Sequence, residues 1–297
     1  MKTIILSAVC IVLAATAVLS MNAGDKAGLF LTLPQGGRPT AMGEAFTGIT
    51  GDIYCGQWNP AGLADLSSLT MTASLAPTYL DMSYGYLSAA LPYRRNTFGL
   101  AISYFNYGDL QGWDQNGLNP ASFNAMDLGL AMLYARSFPG HKMALGGSLK
   151  LLREPIENES ATAVMLDAGA TKRINRFTLG VSLKNLGSGL KFNSESSGLP
   201  VTLSAGGTYY FIDLPLVPAI SLDVPFDGHP VISLGAEYSL ANYLSLRTGL
   251  RTERDQGFAS WLRGGFGVNY NGFGVDYAMI PGNELGYTHV VTIGYHK

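Results

Sequence analysis

Large apolar side chains alternate with small or polar ones along much of this chain. The stretch 126–136, MDLGLAMLYAR, places Leu130 and Met132 on one side and Gly129 and Ala131 on the other. The stretches KMALGGSLKLL and FTLGVSLK repeat this alternation further along. A repeat of two is the period of a β-strand, whose successive side chains point to opposite faces. The pattern therefore predicts a series of strands.

The two faces of these strands differ from those of a soluble sheet. In a sheet with one face in water, that face would be rich in Lys, Glu and Thr, whereas here it is mostly Gly, Ala and Ser. Small residues suit a crowded barrel interior, and large apolar residues suit lipid. Charged residues make up only 13 % of the chain, against roughly 25 % in ordinary soluble domains. We therefore predict an all-β fold, a transmembrane antiparallel β-barrel, and disfavour a soluble exported β-sandwich.

Residues 69–297 contain about fourteen strand-like runs, each long enough to cross a bilayer as a tilted strand. The last three runs are placed near 258–270, 271–280 and 286–296. Tight turns are expected at 94–96, 138–140, 174–176 and 271–272, the last being an Asn-Gly signal for a type I′ hairpin. The longest loops are expected at 108–121 and 186–198. Short turns at one rim and longer loops at the other are typical of bacterial outer-membrane barrels, so we predict that location for the protein and assign residues 69–297 to the barrel.

The chain begins with MKTIILSAVCIVLAATAVLSMNA, in which Lys2 is followed by an unbroken apolar run and then by small residues. This is the pattern of a secretory signal peptide, to which we assign residues 1–23. Cys10 lies inside the apolar run, which disfavours a lipoprotein. The run is also shorter than the roughly 20 residues that a retained anchor helix needs. Cys55 is then the only cysteine of the mature chain, so no disulfide within it is expected.

Residues 24–68 precede the first predicted strand and have a different pattern. The stretch YCGQWNPAGLADL is too apolar for a linker, and Pro60 cannot donate to a strand ladder. A barrel of about fourteen strands has a lumen wider than its own side chains fill, and irregular backbone is tolerated at membrane depth when protein surrounds it. We therefore predict that residues 24–68 form an N-terminal plug or hatch. Its central residues are Trp58, Asn59, Pro60, Ala61 and Gly62.

Two segments resemble a known family. Residues 27–66, AGLFLTLPQGGRPTAMGEAFTGITGDIYCGQWNPAGLADL, resemble the N-terminal signature of the PorV/PorQ family, within the wider FadL-like class of outer-membrane proteins. Residues 285–297, LGYTHVVTIGYHK, resemble the closing strand of that family. The resemblance implies a fourteen-stranded barrel with an N-terminal hatch. FadL-like transporters pass fatty acids or other hydrophobic compounds inward, whereas PorV-type members receive exported proteins in type IX secretion.

The alternation also assigns a set of charged residues to the barrel interior. Because buried charges need partners, we expect these mixed charges to pair with one another and with the plug. The alternative role is contact with a ligand headgroup, for which Arg247, Arg251 and Arg263 are the candidates. The interior set consists of Asp127, Lys142, Lys150, Asp167, Lys184, Asp223, Glu237, Arg247, Arg251, Arg263 and Asp276.

Catalytic and metal chemistry find little support in the sequence. The 4 histidines are scattered, no serine lies in a GxSxG motif, and no HExxH or other close ligand cluster occurs. The formal net charge of −2 shows no excess of positive charge of the kind that nucleic-acid-binding proteins carry. We therefore expect no enzyme activity, no cofactor, no metal site and no nucleic-acid partner.

Two functions fit a plugged barrel, and the sequence leaves both open. The first is an outer-membrane protein of the PorV/FadL-like class whose plug gates the passage or docking of a hydrophobic ligand or an exported protein. The alternative is a structural or accessory component of a type IX-like secretion complex without its own transport path. The expected partners are outer-membrane lipid, a hydrophobic small molecule in the lumen and secretion-system proteins.

Overall fold

The computed structural model describes residues 28–78, 81–113, 120–156, 159–192, 195–252, 258–282 and 286–297. Within these ranges the chain forms a closed barrel of fourteen antiparallel strands and a separate two-stranded sheet. The predicted fold class, an antiparallel β-barrel of this size, is confirmed. The predicted signal peptide lies outside the described residues.

The barrel strands follow one another around the wall in chain order, apart from two short strands that lie outside it. The short strands, β8 Leu190–Phe192 and β9 Glu195–Ser197, pair with each other. The barrel strands are β1 Thr70–Pro77, β2 Ser83–Tyr93, β3 Asn96–Trp113, β4 Pro120–Phe138, β5 Met143–Ile156, β6 Glu159–Ile174, β7 Phe177–Gly187, β10 Thr202–Tyr209, β11 Leu216–Pro225, β12 Val231–Ala241, β13 Leu244–Arg251, β14 Leu262–Tyr270, β15 Phe273–Pro281 and β16 Tyr287–His296.

The helices of the described residues are all short, and most of them precede β1. Among these residues, no helix combines the length and the apolar character needed to cross a bilayer. The 3₁₀-helices are Leu29–Thr32, Pro60–Asp65 and Pro139–His141, and the α-helices are Gly37–Ala41, Cys55–Trp58 and Phe258–Trp261.

The barrel closes because its first and last strands pair. β1 and β16 run antiparallel, with Thr70 opposite His296. Closure leaves no strand edge exposed for pairing with another chain.

Tight turns join the strands at one rim. Asn271 and Gly272 connect β14 to β15 with φ angles of 48° and 84°, as a type I′ turn requires. Two-residue turns also join β2 to β3 and β6 to β7. The opposite rim carries longer connections, including the β8–β9 sheet. The two ends of the barrel are therefore a tight-turn rim and a long-loop rim.

Most large apolar side chains of the wall point outward and most small or charged ones point inward, as the alternation predicts; Leu133 is a large side chain that points inward. On β4, Leu130 and Met132 are 41 % and 58 % exposed, whereas Asp127, Leu133 and Ala135 are buried. The exterior thus presents a broad apolar surface of the kind that lipid covers in a membrane barrel.

Four local expectations were wrong. The predicted loop 108–121 is shorter, because β3 extends to Trp113 and β4 begins at Pro120. The strand predicted near 258–270 begins only at Leu262, after the helix Phe258–Trp261. The predicted loop 186–198 contains β8 and β9. Lys142, assigned to the interior, is exposed at the tight-turn rim with a φ of 49°, because the 3₁₀-turn at Pro139–His141 delays the start of β5 by one residue.

Candidate functional site: the lumen and its inner segment

Residues 28–66, the inner segment, lie inside the barrel and bond to strands on several sides of its wall. β16, β11 and β7 are not neighbours in the barrel, so a segment that contacts all three crosses the lumen. The three hydrogen bonds are Gly37 N to Thr292 Oγ1 (2.8 Å), Thr47 N to Ser221 Oγ (3.2 Å) and Ser182 Oγ to Trp58 O (2.7 Å).

Trp58 anchors the apolar part of the inner segment. It ends the helix Cys55–Trp58, is 3 % exposed, and its ring centroid lies 5.6 Å from that of Phe46. Both rings belong to a buried cluster that also includes Leu63 and, from β4, Leu133. Because an aromatic side chain buries a large apolar area, this cluster is a strong hydrophobic contact between the inner segment and the wall.

Asn59 fixes the turn that follows Trp58. Its Oδ1 accepts a hydrogen bond from Ala61 N at 3.2 Å and so caps the 3₁₀-helix Pro60–Asp65. Its Nδ2 donates to Thr47 O at 2.9 Å and to Ala170 O on β6 at 3.2 Å. One buried amide therefore joins two parts of the inner segment to each other and to the wall.

Gly62 packs against the buried thiol of Cys55. A Cβ added at Gly62 would lie 2.7 Å from Cys55 Sγ and 2.7 Å from Ile49 O. Cys55 Sγ donates to the same carbonyl at 3.3 Å. Burial raises the pKa of the Cys55 thiol and also raises the pKa of the Tyr54 hydroxyl, to about 12. The thiol is therefore neutral and shielded, which makes it a natural reporter of whether the inner segment stays in place.

Glycines of the wall face the backbone of the inner segment. A Cβ at Gly249 on β13 would lie 2.1 Å from Gly43 N, and one at Gly180 on β7 would lie 2.0 Å from Thr47 O. Gly146 on β5 similarly faces the backbone of the 3₁₀-helix. Side chains essentially never approach backbone atoms so closely. The absence of a side chain at these glycines therefore makes room for the inner segment, and we call these contact positions its seats.

An ion-pair network joins the inner segment to the wall toward the tight-turn rim. Arg38 donates from Nε and Nη2 to the two carboxylate oxygens of Glu237, at 2.8 Å each, and from Nη1 to Asp52 at 2.7 Å. Arg247 pairs with the same Glu237 at 2.6 Å and with Asp276 at 2.5 Å. Glu237 is thus held between one cation of the segment and one cation of the wall.

A second network lies toward the long-loop rim. Glu44 of the inner segment pairs with Arg263 at 2.5 Å and with Arg251 at 3.4 Å. Arg251 is also 3.4 Å from Asp223. Elsewhere on the inner face, Lys150 pairs with Asp167 at 2.6 Å.

The two networks lie on opposite sides of the point at which the inner segment crosses β13. On β13 the residues facing inward are Arg247, Gly249 and Arg251 in succession. The inner segment meets this strand at Gly249. Arg38 precedes the contact and pairs on the side of Arg247, whereas Glu44 follows it and pairs on the side of Arg251.

The inner segment separates cavities at the two ends of the lumen. Toward the long-loop rim, two adjoining cavities of about 250 and 600 Å³ share Leu33, Glu44 and Arg251 in their linings. Toward the tight-turn rim, a cavity of about 330 Å³ is lined by residues that include Arg38 and Asp276. Trp58 contributes to the wall of the 250 Å³ cavity.

The structure brings the candidate residues into these two regions and adds residues that the sequence reasoning missed. Trp58 to Gly62 lie together in the inner segment, and Arg247, Arg251, Arg263 and Asp276 all face the lumen. The missed residues are Arg38, Glu44 and Asp52. The signal for them was isolated charge in an otherwise apolar segment, which requires compensation inside a protein.

Lys184 on β7 differs from the lumenal arginines. It lines the 250 Å³ cavity together with Asp223, and its charge acts on that carboxylate without a salt bridge between the two side chains in the described part of the chain. In that same part, no group of three or more His, Cys, Asp or Glu side chains is placed to hold a metal ion.

Solved structures with the same architecture align over most of the chain. The Pseudomonas putida toluene transporter TodX aligns with a TM-score of 0.62 and 12 % identity, covering 88 % of this chain and 96 % of its own. CymD, a monoaromatic hydrocarbon channel, gives 0.63 and 14 %, with coverages of 89 % and 97 %. A Pseudomonas aeruginosa FadL homologue gives 0.56 and 13 %, with coverages of 89 % and 98 %.

The other two comparisons find no counterpart. No protein-family model matches the chain, and no curated protein matches it either. The likeness to solved structures is therefore one of fold. The chain has the fold of the FadL-like outer-membrane barrels.

Proposed function

We propose that this chain is an outer-membrane protein whose residues 24–68 act as a plug and control access of a hydrophobic small molecule to the lumen. The observation that carries the proposal is the inner segment itself, which lies between cavities at opposite ends of the barrel. Passage from one rim to the other would require this segment to move. Its contacts with the wall would then be the parts of a gate.

The long-loop cavities suit a small amphipathic or apolar ligand. Their volumes of about 250 and 600 Å³ are in the range of small-molecule sites. Leu31, Leu33 and Trp58 supply apolar surface, and Lys184 supplies a cation for the head group of an amphipathic ligand. TodX is a toluene transporter and CymD is a monoaromatic hydrocarbon channel. Toluene and similar hydrocarbons are apolar compounds of a size that fits these cavities.

The outward face and the N-terminal sequence support the cellular location in this proposal. Residues 1–23 would direct export, and the apolar exterior would place the barrel in outer-membrane lipid. Access from the long-loop rim would then be access from the cell exterior, since short turns face the periplasm in bacterial outer-membrane barrels.

Channel recording on a protein lacking residues 24–68 tests the plug. The deleted barrel should insert into planar bilayers with a higher single-channel conductance than the full mature chain. Trp58→Ala should loosen the inner segment by about 3 kcal/mol or more, because it removes a buried aromatic side chain, and should produce intermittent openings. Phe273→Ala, which changes an exposed outward ring, is the matched control. Unchanged conductance after the deletion would rule out a plug.

Ligand binding is tested separately with toluene and with decanoate, a hydrophobic acid. Both should quench or shift tryptophan fluorescence if they enter the long-loop cavities, because Trp58 lines one of these cavities and Trp261 lines the other. Lys184→Gln should weaken decanoate binding about tenfold, because a charge-assisted hydrogen bond is lost, and should leave toluene binding unchanged. Arg153→Gln, at an exposed position of β5, should affect neither. Absence of binding by both compounds would exclude these cavities as a hydrophobic-ligand site.

The second candidate is a type IX-like secretion accessory without a transport path. The PorV/PorQ resemblance of residues 27–66 favours it. In that case the deletion would leave small-molecule uptake unchanged but would abolish co-purification of secretion-system proteins with the barrel. The two candidates are therefore separated by which of these two measurements the deletion changes.

A further inference from the structure

We propose that the tight-turn rim carries a binding surface for anionic phospholipid headgroups, formed by the three consecutive turns β2–β3, β4–β5 and β6–β7. This basic arc contains seven of the 19 lysines and arginines of the chain. No aspartate or glutamate lies in these turns or the strand ends beside them. The seven residues are Arg94, Arg95, Arg136, Lys142, Lys172, Arg173 and Arg176.

The arc is continuous because backbone hydrogen bonds link each turn to the next strand end. Ser137 N donates to Arg95 O at 2.8 Å, and Arg173 N donates to Lys142 O at 2.8 Å. Lys172 Nζ donates to the carbonyl oxygen of His141. Neighbouring strands are about 4.8 Å apart, so consecutive turns of the arc lie about 10 Å apart, which is about one screening length.

The charges of the arc are largely uncompensated by the protein. Within the described residues, Arg173 is the only member that forms an ion pair, with Asp65 of the inner segment at 2.8 Å. Arg173 faces the lumen, whereas Arg136 and Lys172 occupy outward-facing positions on β4 and β6 and are exposed. A concentration of like charge at the outer edge of a lipid-facing wall attracts anionic groups to that edge.

Aromatic side chains place this charge at the depth of lipid headgroups. Tyr93, Phe98 and Tyr134 are exposed on the outer face beside the arc, and the Phe98 and Tyr134 rings are 5.4 Å apart. The Arg94 guanidinium lies 5.4 Å from the centre of the Tyr93 ring. Exposed aromatic residues mark the membrane interface in β-barrels, and basic side chains next to that interface reach lipid phosphates.

The other half of the same rim provides the contrast. Its turns at 210–215, 242–243 and 271–272 contain no lysine or arginine, and one of them carries Asp213. The end of β16 adds a single cation, Lys297, whose backbone N donates to Leu69 O. A general need of barrel rims for positive charge would not produce this one-sided distribution. The arc therefore defines one side of the barrel as the side that anionic lipid contacts. The inference is independent of the proposed gating function.

The test measures lipid retained by the folded barrel in detergent micelles doped with phosphatidylglycerol or phosphatidylcholine, by native mass spectrometry. The wild-type chain should retain phosphatidylglycerol at least tenfold better, and added salt should reduce the preference. The preference should be abolished in a variant that combines Arg94→Gln, Arg95→Gln, Arg136→Gln and Lys172→Gln. Each cation removed should weaken phosphatidylglycerol binding by about fivefold. Heat modifiability on gels checks that the variants fold.

Two further variants make the result specific. Arg153→Gln removes an exposed cation from the outer face of β5 near the long-loop rim, and should leave the preference intact. Arg136→Lys with Lys172→Arg keeps the charge and should retain it. Equal retention of the two lipids by the wild type, an unchanged preference in the four-residue variant, or an equal loss in Arg153→Gln would each overturn the proposal. An arc that serves an acidic protein and not lipid would give the first of these results.

Discussion

The two faces of the barrel wall obey different rules. On β5, Leu149 points outward and is 41 % exposed, whereas its neighbour Lys150 points inward and is 5 % exposed. The outer face needs only an apolar character, because lipid adapts to any shape. The inner face meets another part of the same chain, so each position there depends on a particular atom opposite. Conservative changes should therefore be tolerated outside and costly inside.

The largest effect is expected from a charge on the inner face. Glu237→Gln should destabilise the barrel by about 3 to 5 kcal/mol, because two buried arginines would lose a shared partner and Arg38 and Arg247 would each keep only one carboxylate, Asp52 and Asp276. The free energy of unfolding can be measured by urea titration in lipid vesicles with tryptophan fluorescence. Asp213→Asn, an exposed turn carboxylate, should stay within about 0.5 kcal/mol. Equal shifts would mean that the network contributes nothing beyond charge number.

A charge on the outer face should have the next largest effect. Leu130→Arg or Leu149→Arg should cost about 2 to 4 kcal/mol in the same assay, because each places a cation against hydrocarbon. Asn116, in the predicted loop 108–121, would be a control position away from lipid, but it lies outside the described residues. Ser188→Arg, in an exposed connection after β7, serves instead and should be nearly silent. A silent Leu130→Arg would contradict the assignment of the outer face to lipid.

The smallest change, one added methyl group, compares the faces most directly. Gly249→Ala should destabilise by about 1 to 3 kcal/mol, because its Cβ would overlap Gly43 N and displace the inner segment. Gly264→Ala, on the outer face of the adjacent strand, has its nearest atom 3.8 Å away and should be tolerated.

Cys55 provides a second readout of that comparison. In protein expressed from residue 24, its buried thiol should react slowly with maleimide at pH 8. Gly249→Ala should accelerate the reaction and Gly264→Ala should not. Equal rates in the two variants would show that Gly249 is not a seat of the inner segment.

The barrel itself could be predicted because its signal is repeated. Each strand is long enough to display the alternation, and about fourteen repetitions average out local exceptions. Short elements escaped for the same reason, since the four residues Phe258–Trp261 complete little more than one helical turn. Turn chemistry decided the position of Lys142, and alternation carries no information about turns.

The inner-face pairings could not be predicted in the same way. Alternation shows that Arg247, Arg251, Arg263 and Asp276 face inward, but it does not show what lies opposite each of them. The contact of Arg38 with Glu237 joins residues 199 positions apart, and that of Glu44 with Arg263 joins residues 219 apart. Which residues pair over such sequence separations depends on the order and stagger of the strands and on the path of the inner segment. A short stretch of sequence specifies none of these.

The hydrogen bond between Gly37 and Thr292 has a consequence for assembly. It spans 255 positions and joins the start of the inner segment to the last strand, which also seals the wall by pairing with β1. The segment must therefore be enclosed as the wall forms, since a sealed wall offers no side entrance for it. Contacts of such long range form late and make folding slow. When the final strand pairs with β1, it thus closes the wall and forms its contact with the enclosed segment in a single step.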